Sequence, residues 1–347
     1  MILGDLGADV LKIERPSTGD ETRGWGPPFD ARGESAYFLA TNRNKLSAAL
    51  DLTNATDRAL LARLIADADV VLENFRLGTL ERHALGAATM LARHPRLLWC
   101  TISGFGIEST RPGYDFVIQA ESGWMAITGE PAGTPMKTGV ALVDVLAGKD
   151  AAIAILAALA GGRTGERHLA VSLLHSATAA LVNVAQNALV SGRDASRWGN
   201  AHPNLVPYQV FDAADRPLVI AVGSDAQWTA CAKALGLDAL AADPALGTNA
   251  GRLAARATVV DALGAAVRAQ NAAVWIERLD AVGVPCGVVK PVLEALQAVS
   301  ASALTGVAPQ APARVRRAPP RLDAHGPVVR AEGWAAFLRE DLDGALL

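Results

Sequence analysis

The stretch ALVDVLAGKDAAIAILAALAGGRTGE (141–166), followed by HLAVSLL (168–174), carries the pattern on which the predicted fold depends. A short apolar run leads to one carboxylate, Asp144, and then to a long apolar helical pattern that ends near Ala160. We predict a short strand over 140–144 and a helix from there to Ala160. Asp144 then lies at a strand-to-helix junction, where helix N–H groups and the macrodipole stabilise an anion. Such a carboxylate can attack a carbonyl group, but it can also be an ordinary N-cap aspartate.

The same alternation of strand and helix extends to both sides of this stretch. The predicted strands are 8–14, 69–74, 97–103 and 168–174, and the predicted helices are 56–68, 90–95 and 175–191. Apolar strands that alternate with helices are typical of parallel βαβ units. The pattern therefore predicts an α/β fold with a Rossmann-like parallel-sheet large domain.

The composition changes after residue 191. SGRDASRWGNAHPNLVP (191–207) is polar and punctuated by Gly and Pro, which is typical of a linker. YQVF (208–211) and RPLVIAVG (216–223) predict a hairpin, which helical patterns and the short extended piece 284–289 follow. We predict a large domain over 1–195, a linker over 196–204, a small α+β domain over 205–296, and a C-terminal return segment over 297–347 with one helical stretch at 333–340.

The bulk composition excludes several classes of protein. The 347 residues are 51% apolar and 19% charged, with a net charge of −3. We therefore expect a globular protein with no partner among nucleic acids or membranes. No apolar run reaches transmembrane length and no signal peptide is evident. Three distant cysteines and six histidines without metal-like spacing predict neither disulfides nor a metal site, and they favour the cytoplasm.

The sequence also lacks the motifs of several enzyme classes. It contains no G-x-G-x-x-G after a strand, no G-x-x-x-x-G-K-[ST] and no G-x-S-x-G. These absences argue against a dinucleotide site, a P-loop and a serine-hydrolase elbow. A lone carboxylate nucleophile, Asp144, remains as the catalytic candidate.

Several segments, in order, resemble the class III CoA-transferases, also called the carnitine dehydratase / bile-acid-inducible family. They are LGDLGADVLKIERP (3–16), TNRNKLSAALDL (41–52), ADVVLENFRLGTLER (68–82), GYDFVIQAESGWMAITGEP (113–131), the Asp144 segment and GVPCGVV (283–289). The resemblance implies a CoA-transferase in which Asp144 forms a mixed anhydride with the acyl group of an acyl-CoA and then an aspartyl-CoA thioester. It also implies a homodimer of two interlocked rings. Family members have a further strand and a Gly-Pro turn before LGDLGADV, so the resemblance predicts that this chain lacks one strand.

The resemblance assigns residues to CoA one by one. It implies that CoA is a substrate and that no further cofactor is needed. The residues so assigned are Arg15, Leu50, Asp51, Leu52, Thr53, Asn74, Phe75, Arg76, Arg82, Gly113, Tyr114 and Asp115. Arg15 is expected near the CoA nucleotide, Leu50 to Thr53 around the adenine, and Asn74 to Arg76 at the end of a parallel strand, where ligands gather. The alternative for the arginines is an ordinary solvated surface.

Two positions bear on the reaction and its substrate. The family also contains α-methylacyl-CoA racemases, which are similar here but carry a His at the position of Tyr114. Tyrosine is a poor base near pH 7, so Tyr114 favours the transferase over the racemase. RWGNAHPNLVPYQVF (197–211) resembles the branch that takes succinyl-CoA or a related donor and a dicarboxylate acceptor, with His202 and Asn204 as candidate acyl contacts. A catalytically inactive CoA-binding homologue, motivated by the missing strand, is the further alternative.

Overall fold

The computed structural model describes residues 1–339. Its strands are β1 Val10–Glu14, β2 Lys45–Ala49, β3 Val70–Glu73, β4 Leu98–Ser103, β5 His168–Ser172, β6 Tyr208–Asp212, β7 Pro217–Ala221, β8 Cys286–Val288, β9 Ala301–Ser302 and β10 Gly306–Val307. Short 3-10 helices cover Glu21–Gly24, Glu81–His83, Pro244–Leu246 and Gly333–Leu338.

The α-helices connect these strands. They are α1 Ile2–Asp5, α2 Ala36–Asn42, α3 Ala55–Ala66, α4 Ala87–Arg93, α5 Asp115–Glu121, α6 Trp124–Ile127, α7 Leu142–Ala160, α8 Leu173–Ala179, α9 Asn183–Ser191, α10 Asp225–Ala234, α11 Asp238–Ala242, α12 Asn249–Ala254, α13 Arg256–Val267, α14 Ala272–Asp280, α15 Val292–Leu296 and α16 Gly326–Glu332.

The described chain forms two compact units. The first contains 1–124, 137–191 and the described residues from 296 onward, and the second contains 125–136 and 192–295. Segment 125–136 thus packs with the second unit, although it lies within the sequence range predicted for the large domain. The domain boundaries predicted from the sequence stay predictions.

The first unit is built on parallel strands. β1 pairs with β2, and β3, β4 and β5 form a second sheet in that order, all parallel. Neighbouring residues of β4 are buried on opposite faces, because side chains alternate along a strand. Trp99 packs with α3 and α4, whereas Cys100 packs with α7 and β5. Helices therefore cover both faces of this sheet, which confirms the predicted α/β fold.

Helix α3 links the two sheets of the first unit. Its Leu60 and Leu64 pack in the cluster that contains Leu46 of β2, while its Ile65 packs in the cluster that contains Trp99 of β4. Asn54 begins the helix by accepting hydrogen bonds from the backbone N–H groups of the first turn, as an N-cap side chain does. Helix α3 thus packs against both sheets.

The second unit is a small α+β structure. The predicted hairpin is present as β6 and β7, which pair antiparallel with register Tyr208 to Ala221, and β8 pairs antiparallel with β7. Helices α10, α13 and α14 cover this sheet with a core that includes Trp228, Leu263 and Leu279, all almost fully buried.

Three local predictions differ from the structure. The strand predicted over 140–144 is absent, because α7 already begins at Leu142. The helix predicted over 175–191 is divided into α8 and α9, bent by 76°, with Val182 between them at a φ of 43° that a β-branched residue rarely adopts. Strand β2 was not predicted, since KLSAA lacks a clear strand pattern. The helical stretch predicted at 333–340 is the 3-10 helix Gly333–Leu338, and residues from 340 onward lie outside the described residues.

Within residues 1–339, no individual helix has the length and apolarity needed to span a membrane. Helices α8 and α9 reach that length and apolarity only when they are taken together.

A buried ion pair fixes the chain after β1. Glu14 accepts two hydrogen bonds from the guanidinium of Arg23 at 2.8 Å each and one from Ser47 Oγ at 2.6 Å. Arg23 also pairs with Glu34 at 2.8 Å and lies 3.8 Å from the ring centroid of Phe38. Burial opposes ionisation of Glu14, but the hydrogen bonds from Arg23 and Ser47 outweigh it and lower the pKa of Glu14. The pair therefore joins β1, β2 and α2.

We predict that Glu14→Gln destabilises the protein by about 3 kcal/mol, because the buried Arg23 loses the carboxylate that accepts two of its hydrogen bonds and keeps only Glu34 as a charged partner. The measurement is the free energy of unfolding in urea. Glu21→Gln is the matched control, since Glu21 pairs with Arg15 at 3.2 Å on an exposed surface. Its loss should cost no more than about 1 kcal/mol. Equal effects of the two substitutions would contradict the role of the buried pair.

Candidate active site

Asp144 lies in the first turn of α7, two residues after the helix begins at Leu142. It is not the N-cap residue, which is Ala141 and provides no side-chain cap. The capping carboxylate comes from another helix. Asp115, the first residue of α5, accepts a hydrogen bond from the backbone N–H of Val143 at 2.8 Å. The helix terminus is thus satisfied from outside, and the Asp144 carboxylate does not serve as the cap of its own helix.

The pKa of Asp144 is raised to about 6, first by burial of the carboxylate and second by the negative charge of Asp115. The residue nevertheless retains an exposed surface. A carboxylate with this pKa is about nine-tenths ionised at pH 7 and is more basic than an ordinary aspartate. Basicity and ionisation together are what a carboxylate nucleophile needs.

Tyr37 is the third member of this group. Burial raises the pKa of Tyr37, and the charges of Asp144 and Asp115 raise it further, so its phenol is protonated at pH 7. Tyr37 lies on α2 and makes an edge-to-face contact with Trp25, with 5.1 Å between ring centroids. The two rings are about half exposed, at 45% for Tyr37 and 46% for Trp25. The charges of Asp144 and Asp115 therefore act on the Tyr37 phenol, and Trp25 contacts the ring of that tyrosine.

Neither Trp25 nor Tyr37 was predicted from the sequence as a site residue. They lie in the segment between β1 and β2, which has no clear periodicity. The structural order of this segment comes from long-range contacts. Ser35 caps α2 by accepting from the N–H of Phe38 at 3.0 Å, and its hydroxyl donates to the carbonyl of Thr22. The signal that could have located Tyr37 is Ser35, because a serine before an apolar run is a helix start.

The residues that the resemblance assigns to CoA follow the C-terminal ends of parallel strands. Arg15 follows β1 directly, Leu50 to Thr53 follow β2, and Asn74 to Arg76 follow β3. Ligands of parallel sheets gather at this edge. The placement is therefore compatible with a CoA site, and the individual contacts with CoA stay predictions.

The loop after β2 has a defined conformation. Asp51 Oδ1 accepts hydrogen bonds from the backbone N–H of Thr53 at 2.8 Å and from its hydroxyl at 2.7 Å. Arg58 donates to the carbonyls of Leu52 and Thr53 at 2.9 and 2.8 Å. Leu50 is buried, and its N–H donates to the carbonyl of Glu14 at 2.9 Å. These contacts hold the backbone that the resemblance assigns to the adenine.

The arginines assigned to CoA are exposed side chains. Arg15 pairs with Glu21 at 3.2 Å. Arg76 lies in the loop after β3 and Arg82 in the 3-10 helix Glu81–His83. Phe75 is 51% exposed, and its N–H donates to Glu73 at 2.8 Å. Exposed cations and an aromatic ring beside a strand end suit a phosphorylated nucleotide.

Gly113 has a steric reason to be glycine. A Cβ atom at Gly113 would lie 2.6 Å from the Cα of Gly104, just beyond the end of β4. This close backbone contact sets where α5 begins, and with it the position of Asp115. Tyr114 is the N-cap residue of α5 and is 63% exposed, so its ring is not part of the core.

His202 and Asn204, the candidate acyl contacts, lie in the second unit. The ring nitrogen Nδ1 of His202 accepts from the N–H of Asn204 at 3.0 Å, and the His202 ring lies 5.2 Å from that of Tyr208. Asn249 donates to the carbonyl of Asn204 at 2.8 Å. His202 through its ring and Asn204 through its backbone are thus part of a structured turn.

Residues 1–339 contain no group of three or more His, Cys, Asp or Glu side chains that could hold a metal ion.

Comparisons with known proteins identify the family of this chain. Residues 1–332 match the model of the family described as CoA-transferase family III. The succinate–glutarate CoA-transferase of Agrobacterium fabrum is 39% identical over 362 residues, covering 95% of this chain and 90% of that protein. The succinyl-CoA:glutarate CoA-transferase of Mus musculus is 40% identical over 292 residues, covering 83% of this chain and 67% of that protein. The crystal structure of a CAIB/BAIF family protein from Brucella suis matches with a TM-score of 0.84 and 38% identity over 95% of this chain and 93% of that one. The chain therefore belongs to CoA-transferase family III, as its sequence predicted.

Proposed function

We propose that this protein transfers CoA from an acyl-CoA, such as succinyl-CoA, to a dicarboxylic acid, such as glutarate, through a covalent intermediate on Asp144. The observation that carries the proposal is the Asp144 carboxylate itself, in the first turn of α7 with its pKa raised to about 6. The names of the relatives, which are CoA-transferases for succinate and glutarate, support the substrate class.

The reaction proceeds in four balanced steps. An Asp144 oxygen attacks the thioester carbonyl, the C–S bond breaks, and CoA thiolate leaves an aspartyl–acyl anhydride. The thiolate attacks the aspartyl carbonyl, which forms the aspartyl-CoA thioester and releases the donor acid. The acceptor carboxylate attacks this thioester, giving a second anhydride and CoA thiolate again. The thiolate then attacks the acceptor's carbonyl, and the new acyl-CoA leaves Asp144 free. No net proton is taken up or released, and the thioester energy is conserved.

The surroundings of Asp144 suit these steps. The group must be ionised to attack and basic enough to react, and its raised pKa meets both needs near neutral pH. The positive end of the α7 dipole favours negative charge that develops at the attacked carbonyl.

The strand-end residues complete the proposed site. Arg15, Arg76 and Arg82 would bind CoA phosphates, and Leu50 to Thr53 would hold the adenine through their backbone. We further propose that the enzyme is a cytoplasmic homodimer of interlocked subunits, as the sequence and the family resemblance suggest.

The racemase alternative needs two bases beside the substrate's α-carbon. Tyr114 occupies the position of the second base in the resemblance, and a tyrosine is a weak base. Burial and the charges of Asp144 and Asp115 raise the pKa of Tyr37, so even less of this residue is the phenolate that could accept a proton near pH 7. These two residues favour group transfer over proton exchange. Incorporation of deuterium at the α-carbon of a 2-methylacyl-CoA in D2O would favour the racemase instead.

We predict that incubation with succinyl-CoA modifies Asp144 covalently. Reaction with hydroxylamine should convert the aspartyl-CoA thioester to a stable hydroxamate, which peptide mass spectrometry locates. Asp144→Ala should abolish both the modification and the formation of glutaryl-CoA from succinyl-CoA and glutarate, while Asp144→Ala still binds acyl-CoA.

The matched control is Asp150→Ala. Asp150 lies on the same helix and accepts a hydrogen bond from Ser176 at 2.6 Å, so its removal tests for general damage to α7. The control should retain the modification at Asp144. Full transferase activity in Asp144→Ala, or modification at another residue, would contradict the proposed mechanism. A protein that binds acyl-CoA but never becomes modified would be the inactive homologue.

We also predict an acid limb in the pH profile. The attacking form of Asp144 is the carboxylate, and its pKa is raised to about 6, so kcat/KM for succinyl-CoA should fall as pH drops through about 6. An ordinary aspartate would keep the rate constant down to about pH 4. The measurement is kcat/KM between about pH 5 and 8, which reports groups of the free enzyme. A flat profile over this range would show that ionisation of Asp144 does not limit the reaction.

A further inference from the structure

A hydrogen-bond network holds the loop that leads into α7. Its centre is Gln119 on α5, whose side chain is 1% exposed. Gln119 Oε1 accepts from the backbone N–H of Thr138 at 2.9 Å and from its hydroxyl at 3.3 Å. Gln119 Nε2 donates to Asp115 Oδ2 at 2.7 Å and to the carbonyl of Val140 at 3.5 Å. One buried amide therefore fixes both ends of the segment 138–140.

Asp115 connects this network to α7. Its Oδ2 accepts from Gln119 at 2.7 Å, and its Oδ1 accepts from the N–H of Val143 at 2.8 Å. Val143 directly precedes Asp144, so the bond to its N–H restricts the backbone from which the Asp144 carboxylate projects. Two residues before Asp115, the backbone of Gly113 packs so closely against Gly104 that a Cβ atom there would lie 2.6 Å from the Gly104 Cα.

We propose that Asp115 is a positioning residue of the transfer reaction, which holds the start of α7 and thereby the Asp144 carboxylate, with Gln119 fixing Asp115 from the opposite side. The inference rests on the proposed role of Asp144. It differs from the CoA contact that the family resemblance assigns to Asp115, because both carboxylate oxygens already bind groups within the protein.

The charge of Asp115 has a second consequence. Among the described residues, Asp115 on α5 is the charged group that raises the pKa of Asp144, after burial. Tyr37 on α2 is the titratable neighbour whose pKa both carboxylates raise. Removing the Asp115 charge should therefore lower the pKa of Asp144, whereas removing Gln119 should not.

Two variants separate position from charge. Asp115→Asn keeps a carbonyl oxygen for the N–H of Val143 and removes the charge, so the acid limb of kcat/KM should move to lower pH. Gln119→Met is similar in volume, keeps the charge and releases the loop. We expect its kcat to fall about tenfold to a hundredfold, the effect of a misplaced reacting group, with the KM for succinyl-CoA changed less than about twofold and the acid limb still near pH 6.

Glu121→Gln is the control on the same helix. Glu121 is exposed and pairs with Arg111 at 2.6 Å, and its substitution should change neither kcat nor the acid limb. Thermal unfolding of all three variants checks that they fold. If Gln119→Met fails to fold, the kcat of Asp115→Asn still decides, because its amide N–H faces the Gln119 Nε2 donor and the bond between the two side chains is lost, so the positioning role predicts a fall in kcat.

Two results would overturn the inference. One is a raised KM for succinyl-CoA in Asp115→Asn with kcat and acid limb unchanged, which would make Asp115 a direct CoA ligand. The other is wild-type behaviour of both Asp115→Asn and Gln119→Met. Measuring Asp144→Ala in the same assay distinguishes failure of this inference from failure of the proposed function. If Asp144→Ala keeps its activity, the function proposed for Asp144 fails, but if only the positioning variants behave as wild type, the function stands and this inference fails.

Discussion

The buried pair of Glu14 and Arg23 is the interaction on which the rest of the first unit depends. Glu14 is the last residue of β1, and its carboxylate receives two hydrogen bonds from Arg23 and one from Ser47 of β2. Because a buried charge without its partner is strongly unfavourable, the chain after β1 must return to this point. That return brings the segment with Trp25 and Tyr37 back onto the sheet and so supplies the aromatic side of the candidate active site.

Side chains near the end of the described chain form hydrogen bonds with the backbone of β2. The backbone N–H of Ser47 donates to His325 Nδ1 at 3.1 Å, and that of Ala49 donates to Asp323 Oδ1 at 2.7 Å. Side chains thus take the place of a neighbouring strand and satisfy backbone groups that would otherwise be open to pairing. Burial lowers the pKa of His325, and the charge of Arg317 lowers it further, which favours the neutral ring that this acceptor role requires.

The residues of the candidate site are held in place in two different ways. The loops assigned to CoA follow directly from parallel strands, so the sheets determine where they lie. Asp144 does not follow a strand, because α7 begins after an irregular loop. Hydrogen bonds of Asp115 and Gln119 connect the first turn of α7 to α5 instead. After burial, the charge of the same Asp115 also raises the pKa of Asp144.

Sequence alone determined the α/β class, the hairpin of the second unit and the family, and it named Asp144 as the catalytic candidate, because these depend on local apolar patterns and on ordered motifs. It placed Asp144 after a strand, whereas the structure places it inside the first turn of a helix that begins at Leu142. A short apolar run such as VALV is compatible with either state, and the cap that decides between them comes from Asp115, 28 residues earlier in the chain. Only the tertiary structure brought Tyr37 beside the two carboxylates. Contacts between residues distant in sequence leave no periodic signal, and so the chemistry of the site depends on packing that no local pattern encodes.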